Sequence, residues 1–182
     1  MAETVLKIRI LGDPVLRKKV KTVKNVIPEY KEILSKMAEA MYAGQGIGLA
    51  APQVGINEAM IVADVGTGLY KLINPKIVAR VGRQAQEEGC LSIPGICVKV
   101  KRAKKIKVQA QDENGIPISV NAEDLLACVF QHEIDHLKGR LIVDYASFFE
   151  KLKLKKKLKE LMERSKDEKL SESEAKSCQL QL

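Results

Sequence analysis

The sequence predicts a fold of mixed helices and strands, and three observations support that class. Apolar residues recur at helical spacing over 28–43, and further helices are expected over 122–138 and 147–166. Segments between these helices have the β-branched content and partial alternation typical of strands, namely 59–64, 70–81, 97–110 and 116–120. Glu113-Asn114-Gly115 separates the last two segments and is typical of a hairpin turn.

The N-terminal part begins with an extended segment, residues 1–11, which ends at the turn signal Gly12-Asp13-Pro14. Pro28 can occupy the first turn of the helix over 28–43, although no convincing side-chain cap precedes it. Residues 45–55 are rich in glycine and alanine, so we expect loop or strand there.

The C-terminal part carries the other two helices. Asn121 is the expected N-cap of the helix over 122–138, with Asp124 in its first turn and Gly139 as its stop. The helix over 147–166 is followed by a polar segment. We therefore expect a single domain over residues 1–166, including this last helix, and a flexible tail over 167–182.

Composition places the chain among ordinary globular proteins. It has 182 residues, of which 46% are hydrophobic and 30% charged, which argues against global disorder. The net charge is +8, and residues 151–170 contribute nine Lys or Arg against four Asp or Glu. Such a basic segment suits RNA phosphates, an acidic protein or a membrane surface, and the alternative is a solvated helix face.

The sequence also suggests a compartment. Residues 1–10 alternate apolar and polar side chains and include Glu3, unlike a signal peptide. No apolar run has the length needed to cross a bilayer. We expect a cytoplasmic protein with free thiols and no membrane partner, and nothing in the sequence demands more than a monomer.

The only two histidines lie four residues apart, in His132-Glu133-Ile134-Asp135-His136. On a helix, residues four apart share a face, so both imidazoles can bind one metal ion. Glu133 lies beside the first histidine and can accept a proton from water. A chance match on an amphipathic helix is the alternative. The pattern favours a catalytic metal site.

The third ligand of such a site cannot be a histidine, which leaves a carboxylate or a thiolate. Cys128 shares the helical face, but the helix rises roughly 12 Å from it to His136, too far for one ion with bonds of about 2 Å. Cys178 lies in the polar tail. Cys97 and Cys90 remain, and Cys90 is modestly preferred because the glycine before it lets the backbone approach a ligand. For either cysteine, the alternative is a small buried apolar residue.

The segment from Gly46 to Gln53 has small residues where a substrate backbone can approach. The side-chain amide of Gln53 can donate to a developing oxyanion. The segment lacks the Gly-Lys-Ser/Thr ending of a phosphate loop and the glycine spacing of a dinucleotide site. A tight structural turn is the alternative.

Taken in order, three motifs resemble those of the peptide deformylase family. They are G-x-G-x-A-A-x-Q at Gly46 to Gln53, E-G-C-x-S at Glu88 to Ser92, and H-E-x-D-H at His132 to His136. Val100 and Arg102, after the second motif, also fit the family's pattern, and the resemblance covers about residues 5–150. It implies an α+β fold in which antiparallel strands pack around a central metal-binding helix, with an N-terminal and a C-terminal helix.

The resemblance also implies an activity, which is metal-dependent hydrolysis of the N-formyl group from the formylmethionine of newly made polypeptides, releasing formate. Cys90, His132 and His136 would hold one divalent ion per chain. Fe²⁺ would be the physiological ion, and Zn²⁺, Ni²⁺ or Co²⁺ would also fit. Glu133 would be the general acid and base.

Further roles follow from the same resemblance. The side chain of Gln53 and the backbone N–H of Leu91 would stabilise the oxyanion, and the backbone of Gly48 would help to hold the substrate. The pocket for the methionine side chain would be formed by Ile47, Leu125, Val129 and the aliphatic part of Glu88.

Family members act on nascent chains at the ribosome, and in some of them a C-terminal helix docks there. The resemblance extends this expectation to the basic helix over 147–166, whose lysines would contact ribosomal RNA.

Two other functions compete with this interpretation. A metallopeptidase with the same histidine motif would take its third ligand from downstream of the helix, where Asp144 and Glu150 are the nearest carboxylates. A non-catalytic, ribosome-associated metal-binding protein is the other, but the intact Glu133 and Gln53 argue against it.

Overall fold

The computed structural model describes residues 6–166 and has the mixed class that the sequence predicts. Three α-helices are present in this part of the chain, α1 (Glu29–Ala43), α2 (Asp124–His136) and α3 (Phe148–Lys166). The tail over 167–182 and the first five residues lie outside the described residues, so the expectations for them stay untested.

Seven strands form two antiparallel sheets. The larger sheet has the order β1 (Gly48–Ala50), β2 (Met60–Ala63), β3 (Tyr70–Val81), β6 (Lys105–Gln111), β7 (Pro117–Glu123). The smaller one is a ribbon of β4 (Gln84–Glu88) and β5 (Val98–Arg102). The expected hairpin turn at Glu113-Asn114-Gly115 joins β6 to β7.

Helix α2 occupies the centre, because strands of both sheets pack around it. Strand β2 explains how a short apolar segment can be buried on both faces, since successive side chains point to opposite sides. Met60 and Val62 pack in the cluster of α1, whereas Ile61 and Ala63 pack in the cluster of α2. The α+β arrangement around a central helix is therefore confirmed.

Helix α3 attaches to the outside of the ribbon of β4 and β5. Its inward side chains Leu154, Leu158 and Leu161 pack against a cluster that includes Val98 and Val100. Ser147 and Glu150 cap its first turn reciprocally, because the backbone N–H of Ser147 donates to Oε2 of Glu150 and the N–H of Glu150 donates to Oγ of Ser147. Among residues 6–166, no helix combines the length and apolar character needed to cross a bilayer.

Two local predictions were wrong. The single strand expected over 97–110 is divided into β5 and β6, and β4 was not predicted at all. Asn121 is not the N-cap of α2, because β7 continues to Glu123 and pairs with β6 through Lys105. The expectation of free thiols holds for Cys90 and Cys128.

Candidate metal centre

The two histidines of α2 and one cysteine from the end of the ribbon meet at a single point. Cys90 follows β4 directly, while His132 and His136 lie one turn apart on α2. Nε2 of His136 lies 3.2 Å from Nε2 of His132 and 3.3 Å from Sγ of Cys90. All three ligand atoms lie within 4.8 Å of one another, and all three residues are buried.

These distances fit a metal ion. With metal–nitrogen bonds of about 2.0–2.1 Å and a metal–sulfur bond of about 2.3 Å, tetrahedral geometry separates neighbouring ligand atoms by about 3.3–3.6 Å. The separations at His136, 3.2 and 3.3 Å, lie close to the lower end of that range. One thiolate and two imidazoles suit iron, zinc, nickel or cobalt better than magnesium or calcium. Of the cysteines that the sequence left open, the structure brings Cys90 to the histidines.

The pKa shifts of His136 and Cys90 also favour a cation at this site. Burial, and next the neighbouring His132, lower the pKa of His136 well below its ordinary value, so this imidazole is neutral. Burial and then the charge of Glu133 raise the pKa of the Cys90 thiol above its ordinary value. A thiolate at this buried position therefore requires a positive charge beside it.

Glu88 orients His132. Its Oε2 lies 3.0 Å from Nδ1 of His132, and because a carboxylate only accepts, Nδ1 donates the proton. The lone pair of His132 is then on Nε2, which faces His136 and the ligand cluster. Burial raises the pKa of the Glu88 carboxyl, but hydrogen bonds from Arg102 and His132 outweigh burial and leave that pKa below its ordinary value.

Arg102 is the central cation of this network. Its Nε and Nη2 donate to the two carboxylate oxygens of Glu88 at 2.7 and 2.8 Å, and its Nη1 donates to Oδ2 of Asp135 at 2.5 Å. The hydroxyl of Tyr145 donates to the same Oδ2 at 2.6 Å. Sequence reasoning missed these partners, although one signal existed: Arg102 shares the inward face of β5 with Val98 and Val100.

Glu133 lies beside the cluster and is fully buried. Neither of its carboxylate oxygens has a hydrogen-bond partner within the described part of the chain. Burial raises its pKa well above the ordinary value, and the negative charge of Glu88 adds to that effect. A buried carboxyl without a partner is costly, so it indicates a functional group rather than a structural one.

Gln53 reaches the centre from the short 3₁₀ turn after β1. The backbone N–H of Ala50 donates to its Oε1 at 2.7 Å, which fixes the orientation of the amide. Its Nε2 points to Oγ of Ser92 at 3.3 Å and to Sγ of Cys90 at 3.6 Å. Leu91 follows Cys90 and is buried, so both expected oxyanion donors lie on segments adjoining the ligands.

The expected substrate residues surround Glu133 and the start of α2. Gly48 approaches so closely that a Cβ added there would lie 2.4 Å from Oε1 of Glu133. Ile47, Leu125 and Val129 belong to one hydrophobic cluster, in which Val129 is buried and the other two are half-buried. The carboxylate of Glu88 has the further contacts with Arg102 and His132 that the sequence did not predict.

The carboxylates considered for a peptidase-type site lie elsewhere. Asp144 pairs with Arg17 and accepts from the backbone N–H of Leu141, and Glu150 caps α3. Within residues 6–166, Cys90, His132 and His136 form the one group of three suited to hold a metal.

Comparison with known proteins agrees with this geometry. The family model for polypeptide deformylase matches residues 5–152. A peptide deformylase of Carboxydothermus hydrogenoformans is 48% identical over 142 residues, which cover 78% of this chain and 93% of that protein.

Two solved structures are also similar. A peptide deformylase from Synechococcus elongatus in complex with actinonin matches with a TM-score of 0.80 and 42% identity, covering 86% of this chain and 90% of that one. A peptide deformylase from Legionella pneumophila matches with a TM-score of 0.83 and 37% identity, covering 92% and 100% respectively.

Proposed function

The chain belongs to the polypeptide deformylase family and is a metal-dependent hydrolase of N-formylmethionyl peptides; we propose the roles of its residues in that reaction. The reaction cleaves the formyl amide at the N-terminus of a nascent polypeptide and releases formate. The observation that carries the proposal is the buried group of Cys90, His132 and His136 beside the unpartnered carboxyl of Glu133.

Cys90, His132 and His136 would hold one divalent ion per chain, with ferrous iron as the physiological ion. When bound, the metal supplies Lewis acidity, which polarises a carbonyl oxygen and lowers the pKa of a water molecule. Glu88 holds the proton on Nδ1 of His132 and so keeps the Nε2 lone pair available.

Glu133 is the general base and then the general acid. Its carboxylate accepts the proton of the water that attacks the formyl carbon, and it later returns that proton to the departing amine. The raised pKa of Glu133 suits the first step, because it makes the carboxylate a stronger base towards the proton of water. The protonated group is then the donor to the departing amine. Burial at this position keeps bulk water from competing for the proton.

Gln53 and Leu91 stabilise the oxyanion that forms at the formyl carbon. The side-chain carbonyl of Gln53 accepts a hydrogen bond from the backbone N–H of Ala50. The side-chain NH₂ group is therefore directed towards Cys90 and Ser92. The backbone N–H of Leu91 would be the second donor, next to a ligand in the chain. Donors that are held in place before the reaction need no reorganisation in the transition state.

The methionine side chain of the substrate would lie against the hydrophobic surface of Ile47, Leu125 and Val129, with the aliphatic part of Glu88. The backbone of Gly48, at the start of β1, would bind the peptide. A hydrophobic surface continuous with the core around α2 suits an unbranched thioether side chain.

Helix α3 would contact the ribosome. Its exposed lysines, including Lys151, Lys155 and Lys159, present positive charge to solvent. The protein would work in the cytoplasm as a monomer, since one chain provides all three ligands and Glu133. Co-sedimentation should show that ribosome binding weakens with added salt and with Lys→Glu changes on α3. Binding that is unchanged by salt and by these substitutions would exclude this contact.

The function is tested by formate release from a formylmethionyl peptide after anaerobic reconstitution with ferrous iron. Glu133→Ala should abolish turnover while metal binding largely remains, and Cys90→Ala should lose metal affinity and activity together. Hydrolysis of unformylated peptides only would indicate a metallopeptidase. A metal-loaded wild type without turnover would indicate a binding protein.

A further inference from the structure

A continuous chain of polar contacts leads from His132 to the half-exposed ring of Tyr145. It runs through Glu88, Arg102 and Asp135, and every hydrogen bond in it is between 2.5 and 3.0 Å. The first four side chains are buried, with Asp135 9% exposed, whereas Tyr145 is 38% exposed. Tyr145 is therefore the point at which this network reaches the surface.

Tyr145 contacts the network twice. Its hydroxyl donates to Oδ2 of Asp135, the same oxygen that accepts from Nη1 of Arg102. Its ring lies under the guanidinium, with Cζ of Arg102 4.9 Å from the ring centroid, which is within the range of a cation–π contact. The tyrosine thus holds both the cation and the anion that pairs with it.

We propose that Tyr145 is a positioning residue for the metal ligand His132, acting through Asp135, Arg102 and Glu88. The proposal rests on the proposed function, because it takes His132 as a ligand. Arg102 meets Glu88 with two parallel hydrogen bonds, so a rotation of its planar guanidinium moves both Glu88 oxygens. One of these oxygens accepts from His132 and sets the direction of its ring.

The expected change in metal affinity depends on how many hydrogen-bonded side chains separate Tyr145 from His132. Loss of a group that touches a metal ligand directly typically weakens metal binding by about 10- to 100-fold. Tyr145 acts through three intervening side chains, so we expect about a 3- to 10-fold rise in the metal dissociation constant when its hydroxyl is removed.

The test is Tyr145→Phe, which removes the hydroxyl and keeps the ring over Arg102. Tyr30→Phe is the matched control, because the half-buried Tyr30 also donates to a carboxylate, Oε1 of Glu58 at 2.7 Å, without a link to the network. The dissociation constant for Zn²⁺ is measured by competition with a chelator, and kcat and KM are measured with a formylmethionyl peptide.

Tyr145→Phe should raise the Zn²⁺ dissociation constant and lower kcat at limiting metal, with kcat recovering at saturating metal and KM unchanged. Tyr30→Phe should leave all of these values as in the wild type. Tyr145→Leu, which also removes the ring from Arg102, should raise the dissociation constant at least as far.

Equal Zn²⁺ affinity in the wild type and Tyr145→Phe would overturn the proposal, and so would an equal loss in Tyr30→Phe. If the wild type itself binds no metal or releases no formate, the proposed function fails instead. The two failures are therefore distinguished by the wild-type measurement.

Discussion

Replacing Gly48 with alanine should displace the carboxylate of Glu133, and the structure gives the size of the displacement. The added Cβ would lie 2.4 Å from Oε1 of Glu133 and 2.8 Å from Cγ1 of Val129. Cβ contacts below 3.0 Å essentially do not occur, so Oε1 must retreat by at least about 0.6 Å. The φ angle of Gly48 lies outside the left-handed region, so its backbone itself accepts alanine.

The displacement should reduce catalysis more than folding. A misplacement near 1 Å can lower a rate by about 10²-fold, so kcat should fall by about 10- to 100-fold. Overpacking of this kind costs about 1–3 kcal/mol of folding free energy. Metal content should stay the same, because the atoms nearest the added methyl belong to Glu133 and Val129 rather than to a ligand.

Formate release over a range of peptide concentrations measures kcat, and a urea titration measures the folding free energy. Metal content is measured on the same samples. Gly44→Ala is the control, because its Cβ would meet no atom closer than 3.2 Å and its φ of −76° suits alanine. A Gly48→Ala enzyme with wild-type kcat would refute the reasoning. Such a result would mean that the position of the Glu133 carboxylate does not limit turnover.

Two further predictions follow from the charged groups. Arg102→Met should lower the free energy of unfolding by about 3–5 kcal/mol, because it leaves the Glu88 carboxylate buried without its cation; a urea titration that finds less than about 1 kcal/mol would contradict this. Hydrogen bonds from the side chain and then the backbone of Ser147 lower the pKa of Glu150 below 4.5. The ionised Glu150 therefore stabilises α3 fully above pH 4.5, and this stabilisation is lost as the pH falls through the lowered pKa. Ser147→Ala should return the pKa of Glu150 towards 4.5 in an NMR titration, and an ordinary pKa in the wild type would show that the cap is absent in solution.

The histidine pair could be predicted from sequence because its geometry is local. Four residues on a helix bring His132 and His136 to one face whatever the rest of the chain does. The third ligand is different, because Cys90 reaches the histidines only through tertiary packing. Spacing alone favoured it modestly over Cys97, and the choice depended on the ordered motifs of the family.

The missed strand and the missed network have a related cause. Strand β4, Gln84–Glu88, is almost entirely polar, and its pairing with β5 is what makes it a strand. The break between β5 and β6 falls where no glycine or proline marks a turn. The partners of Arg102 come from β4 and α2, so no local pattern identifies them.

The position of Cys90 at the end of β4 means that a bound metal would also stabilise the fold. A single ion bound to Cys90 and His132 would join points 42 residues apart in the chain, one on the ribbon and one on the central helix. Because these ligands come together only in the folded chain, the free energy of metal binding adds to the stability of the fold. The ion at the reaction centre would thus also be a reversible cross-link between the ribbon of β4 and β5 and helix α2.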